Sequence, residues 1–148
     1  MRKTTHWFVT ADDRCAKLYS LRDVRGGRRR VSEHESVRSD WEDYHERGRP
    51  NPLGRGPSAN AAQGFAARGH QDQEERNRFA RDVKAWIESR MKEREINRIS
   101  VFAAPRMLGA LRAEFGDDPP GVSLHEGEFT PLHAHQLAEH PAIAEAIA

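Results

Sequence analysis

Four small groups of residues carry side chains suited to chemistry. His133 and His135, with Glu139 and His140 close behind, offer the imidazoles and carboxylate that hold zinc elsewhere. On a helix, residues two apart point to different faces, so this group reads as a chance cluster and no metal is expected. Asp12-Asp13-Arg14 sets two carboxylates beside a guanidinium, yet adjacent aspartates between two apolar runs are turn formers first. Pro105-Arg106 ends a short apolar run and opens a helical pattern. Ligands of open α/β sheets bind outside the carboxyl ends of strands, and a helix N-terminus there favours anions, so Arg106 is an anion-binding candidate. Arg28, Arg29 and Arg30 follow Gly26-Gly27 and form a basic loop tip, suited to salt-sensitive contact with RNA phosphates.

Other chemistries lack their parts. Ser32, Ser36 and Ser39 lie near His34, but no G-x-S-x-G elbow surrounds them. No G-x-x-x-x-G-K-S/T loop is present to cradle a nucleotide, and no cofactor is expected. Cys15 is the only cysteine, which excludes an intramolecular disulfide and a C-x-x-C metal site.

The elements that must position these groups centre on residues 75–115. Phe79, Val83, Trp86, Ile87 and Met91 recur at helical spacing, with charged residues between them. Residues 98–104, R-I-S-V-F-A-A, suit a buried strand, and helical spacing resumes after Pro105 through Met107, Leu108, Leu111 and Phe115. Upstream, residues 6–11 and 14–20 read as a hairpin across Asp12-Asp13, and residues 31–37 as a third, edge-like strand. Downstream, Asp117-Asp118-Pro119-Pro120-Gly121 is a breaker. Residues 122–125 form a short strand, and a helix starting at Thr130-Pro131 is interrupted by Pro141. Residues 39–71, with Gly48, Pro50, Pro52, Gly54, Gly56 and Pro57, read as one long flexible loop within a single domain spanning 1–148.

Composition narrows the function classes. Only 36% of the 148 residues are hydrophobic against 32% charged, so the core must come from the few segments just named. A net charge of +1 argues against a protein that coats DNA indiscriminately, while leaving room for a local basic contact. The apolar run at residues 7–11 is too short for a secretory signal, and nothing approaches a membrane span, so a cytoplasmic location is expected.

With these segments in place the chain resembles the host-attachment protein family, bacterial relatives of the middle domain of archaeal and eukaryotic class-one release factors. The carrying residues are W-F-V-T-A-D-D-R-C-A-K-L-Y from Trp7, Glu33-His34-Glu35, Arg78-Phe79-Ala80-Arg81, residues 99–112 and Phe129-Thr130-Pro131-Leu132. The resemblance implies a ribonuclease-H-like α/β layout, a mixed sheet flanked by helices. It also aligns Arg68-Gly69-His70-Gln71 with the Gly-Gly-Gln loop that precedes a long helix in release factors. In that reading Gly69, His70 and Gln71 join Arg28–Arg30 as RNA contacts, and Gln71 is the residue for peptidyl-tRNA hydrolysis. His70 departs from the family glycine, and Asp72 with Glu75 also reads as an ordinary capping box. The function expected is binding of the ribosome or a structured RNA, in translation rescue or stress. The alternative is a host-attachment interaction protein without catalysis.

Overall fold

The computed structural model describes residues 5–24, 26–39 and 61–147. Five strands, β1 (Thr5–Ala11), β2 (Cys15–Val24), β3 (Arg28–Arg38), β4 (Ile99–Ala103) and β5 (Val122–Glu126), form one sheet in the order β3-β2-β1-β4-β5. β2 runs antiparallel to both β1 and β3, while β1, β4 and β5 pair in parallel, so β2 alone is reversed. The α/β architecture is the one expected, and this strand order is compatible with a ribonuclease-H-like layout. Parallel neighbours need crossovers. Helix α1 (Ala61–Glu93) precedes β4, and α2 (Pro105–Phe115) links β4 to β5.

Alternation along the strands creates two cores. Val9 and Ala11 of β1, Ala16 and Leu18 of β2, and Val101 and Ala103 of β4 point to one face. There they meet Phe79, Val83 and Ile87 of α1 and Met107, Leu108 and Leu111 of α2. Each of these large apolar side chains contributes about 1.5–3 kcal/mol through burial. The opposite face presents Phe8, Tyr19, Leu21 and Phe102. It is covered by Phe129 and by two short helices, α3 (Ala134–Glu139) through Leu137 and α4 (Pro141–Ile147) through Ile143. Every residue of β4 is buried, Ser100 included, as its mostly apolar run leads one to expect of a central strand.

Several boundaries differ from the sequence expectation. Of the expected loop 39–71, residues 40–60 lie outside the described residues, and residues 61–71 are the first turns of α1. Gly69, His70 and Gln71 therefore belong to helical backbone rather than to a loop end, and Asp72 does not cap a helix start. Ala61, Ala62, Ala66 and Ala67 are the strongest helix formers, and the two glycines among them cost only about 1 kcal/mol each. β2 and β3 are each longer than their apolar cores because ladder pairing carries them through the charged residues to the turn. The last helical region begins at Ala134, after a turn closed by the Leu132 N–H on the Phe129 carbonyl, rather than at Thr130-Pro131. Among the described residues, no helix is long and apolar enough to cross a membrane.

Candidate functional site

The basic tip is the turn of the β2–β3 hairpin. Gly26 and Gly27 both have left-handed backbone, φ 83° and 73°, which a side chain disfavours. The register beyond them pairs Val24 with Arg28, Asp23 with Arg29 and Arg22 with Arg30. Directly paired residues share a face, so the tip divides its charges. Arg22, Arg28 and Arg30 project together from the face that carries α1, and all three are exposed. Arg29 lies on the other face with Asp23, 3.7 Å from its carboxylate, and Glu33 follows on that face. Among the described residues, Arg22, Arg28 and Arg30 have no acidic partner. The expected trio Arg28–Arg30 is thus split, and Arg22 takes the place of Arg29.

The same face continues into a braced aromatic group. The pairing slips between Leu18 and Tyr19, which face Glu35 and Glu33, and this leaves His34 as a bulged residue. His34 Nε2 lies 2.7 Å from the Ser20 hydroxyl, and its ring is 4.9 Å from that of Trp7. The Arg94 guanidinium stands 5.5 Å from the Trp7 ring on its own account. Glu35 holds Arg90 at 3.1 Å and Arg94 at 3.0 Å, so this acid is already engaged. Burial, with the charges of Arg94 and Arg22, holds the His34 imidazole below its ordinary pKa, against a weaker opposite pull from Glu35. The serine that the structure sets against His34 is Ser20, from the neighbouring strand, rather than Ser32, Ser36 or Ser39 of the same stretch.

Arg106 belongs to a second place. A cleft of about 460 Å³ at the carboxyl ends of β1 and β4 is lined by Asp12, Asp13, Arg14, Ala104, Pro105, Arg106 and Glu128. Pro105 opens α2, and its N-cap, Ala104, offers no side-chain hydrogen bond. The acids here are turn formers and ties, as their spacing suggested. Asp12 Oδ1 accepts the N–H groups of Arg14 and Cys15, each at 2.8 Å, and Oδ2 accepts the Thr130 hydroxyl at 2.6 Å. Asp13 takes Arg76 of α1 at 3.0 Å. Desolvation and the Asp12 charge push the neighbouring Cys15 thiol above its ordinary pKa, which disfavours the nucleophilic thiolate.

The expected contact residues do not form one surface. Arg76 on Asp13 fixes the middle of α1 to the carboxyl end of β1, and Gln71 lies about 7.5 Å further along the helix axis toward the start of the helix. Gln71 and Arg106 therefore sit at one end of the sheet, and Arg28 and Arg30 at the other, a full length of β2 away. The side chain of His70 lies outside the described residues. Within Arg78-Phe79-Ala80-Arg81, Phe79 and Ala80 are buried in the core, so packing accounts for half of that motif. Near the C-terminus, the backbone N–H of His133 donates to the Gln136 side chain at 2.8 Å, the His133 and His135 rings stack 6.0 Å apart, and His140 Nδ1 accepts the Ala142 N–H at 3.1 Å. Among the described residues, no three His, Cys, Asp or Glu side chains gather as a metal site.

No curated protein sequence matches the chain. Among solved structures it is similar to a Ppx/GppA family member of Aquifex aeolicus, at 11% identity and TM-score 0.39, over 86% of this chain and 36% of that one. It is also similar to the type II variant of the Aquifex aeolicus Ppx/GppA phosphatase, at 11% identity and TM-score 0.36, over 83% and 36% of the two chains. The chain thus spans little more than a third of the length of either structure. The family model described as "Protein required for attachment to host cells" matches residues 7–140, nearly all of the sequence, and the chain belongs to that family.

Proposed function

We propose that the chain is a binding module for RNA, in the ribosome or another structured RNA, resembling the release-factor middle domain in fold and in partner class rather than in catalysis. The observation that carries this reading is the arginine face: Arg22, Arg28 and Arg30 are exposed, share one side of the hairpin, and have no acidic partner among the described residues. Like charges directly opposite one another destabilise a ladder, and Arg22 opposes Arg30. A polyanion relieves that repulsion. Helical backbone at Gly69, His70 and Gln71 gives no support to a release-factor-type hydrolytic loop, so those residues have no part in the proposal. Arg106 remains a candidate anion contact at the far end of the sheet.

Three phosphate contacts give a log K versus log salt slope of about −2 to −3. Ribosome co-sedimentation and anisotropy with labelled RNA at rising salt measure it. The triple variant Arg22→Glu, Arg28→Glu, Arg30→Glu is expected to lose binding and flatten the slope, whereas Arg29→Glu is expected to lose little. Absence of association by the unaltered protein at low salt, or an unchanged slope in the triple variant, refutes the reading. The second reading, a non-catalytic interaction protein in attachment to host cells, rests on the family description. Fractionation that places the protein outside the cell would favour it.

A further inference from the structure

We infer that the RNA segment taken by the arginine face is unpaired, and that His34 holds one of its bases by stacking; this rests on the RNA reading above. His34 is exposed, yet its ring is not free to wander. The bulge directs it over Ser20, whose hydroxyl is 2.7 Å from Nε2, and Trp7 supports it from β1 at 4.9 Å between ring centroids. Trp7 is braced in turn by Arg94, which Glu35 anchors. A ring fixed before binding has little ordering entropy left to lose. Ser20 and Arg22 are alternate residues on one face of β2, one strand repeat, roughly 6.6 Å, apart along the strand, so the His34 ring held on Ser20 lies beside the start of the arginine face.

The charged neighbours set the character of this ring. Partial desolvation against Trp7 and Ser20 comes first in opposing a proton on it, then Arg94 at the end of α1 and Arg22 from β2, while Glu35, itself paired with Arg90 and Arg94, favours one more weakly. The neutral imidazole is thereby favoured, and it offers a flat π-face beside the arginine face. That combination is the arrangement of single-strand binding surfaces, where cations track the backbone and aromatic rings take the bases. A duplex does not fit it. Paired bases are stacked on one another, and the A-form major groove is too deep and narrow for a ring on a sheet to enter.

The test uses the full chain with three probes: a labelled oligoadenylate, an RNA duplex of the same length, and inorganic polyphosphate. The single strand is expected to bind more tightly than either other probe. His34→Ala is expected to weaken oligoadenylate binding about five- to tenfold, with the salt slope and polyphosphate binding unchanged, and His34→Phe to restore it. Equal binding of duplex and single strand, or a His34→Ala protein indistinguishable from the unaltered one, overturns the inference. If the arginine variants still lose binding in that case, the RNA reading stands without it. Failure of all three probes to bind overturns both.

Discussion

Asp12 is the residue whose loss the structure prices most directly. Its carboxylate closes the β1–β2 turn through the N–H groups of Arg14 and Cys15, and it reaches Thr130 across a sequence separation of 118. In Asp12→Ala the two N–H groups, near the surface, regain water and return only part of the loss. Thr130 as a residue is 9% exposed, so its hydroxyl regains little. A net hydrogen bond to a charged group is worth about 1.5–3 kcal/mol, and a stranded buried hydroxyl costs about 1–3 kcal/mol, so the substitution is expected to cost about 2–4 kcal/mol in all. For a chain of this size that is a fall in Tm of roughly 5–15 °C. Asp12→Asn keeps the two N–H bonds and lets its amide donate to Thr130, so it is expected to cost about 1 kcal/mol. Urea denaturation of the three proteins, with Thr130→Val to complete a double-mutant cycle, measures these terms. An Asp12→Ala protein within about 0.5 kcal/mol of the unaltered one, or a cycle with no coupling, refutes the assignment of Asp12 as the tie between the two segments.

Two positions with left-handed backbone make opposite predictions. Gly121 has φ 75°, and a Cβ there would run into the Asn97 carbonyl oxygen, so Gly121→Ala is expected to cost about 2–4 kcal/mol by denaturant unfolding. Glu95, φ 55°, closes α1 at a place where glycine is the usual residue: the Ile96 N–H bonds the Met91 carbonyl at 2.8 Å and the Glu95 N–H that of Lys92 at 3.4 Å. Glu95→Gly is expected to stabilise by up to about 1 kcal/mol, and a lower midpoint in the same assay would contradict this account of the cap.

What the sequence made legible is what local pattern encodes. The short run at residues 99–103, with Ile99, Val101 and Phe102, suits a strand buried on both faces, and the spacing of Phe79, Val83 and Ile87 suits one stripe of a helix. Pro105 marks the start of α2 because its fixed φ suits a first helical position. The helical turns at 61–71 were missed because the Gly and Pro of residues 48–57 lent their character to an alanine-rich neighbour. The site was less legible because it depends on register. Gly26-Gly27 announces a turn, but that Arg22 meets Arg30 while Arg29 meets Asp23 follows only from which residues pair across it. The contact of Ser20 with His34 needs a bulge, and that of Asp12 with Thr130 needs the whole fold. Neither leaves a local trace in the chain.

The contrast between the two faces of the β2–β3 hairpin bears on whether its arginines are more than a solvated tip. On the face toward α3 and α4 the sequence sets Asp23 against Arg29, an arrangement that helps the ladder. One residue away, on the other face, it sets Arg22 against Arg30 at a penalty of about 0.2–1 kcal/mol where an acid would have brought a gain. Solubility does not require this, since an acid at position 22 would serve it as well. The choice makes sense if the positive face meets a polyanion, and it ties stability and binding to opposite signs. Arg22→Glu should then raise the unfolding midpoint while it weakens RNA binding. A surface that was merely solvated would gain the stability and lose nothing.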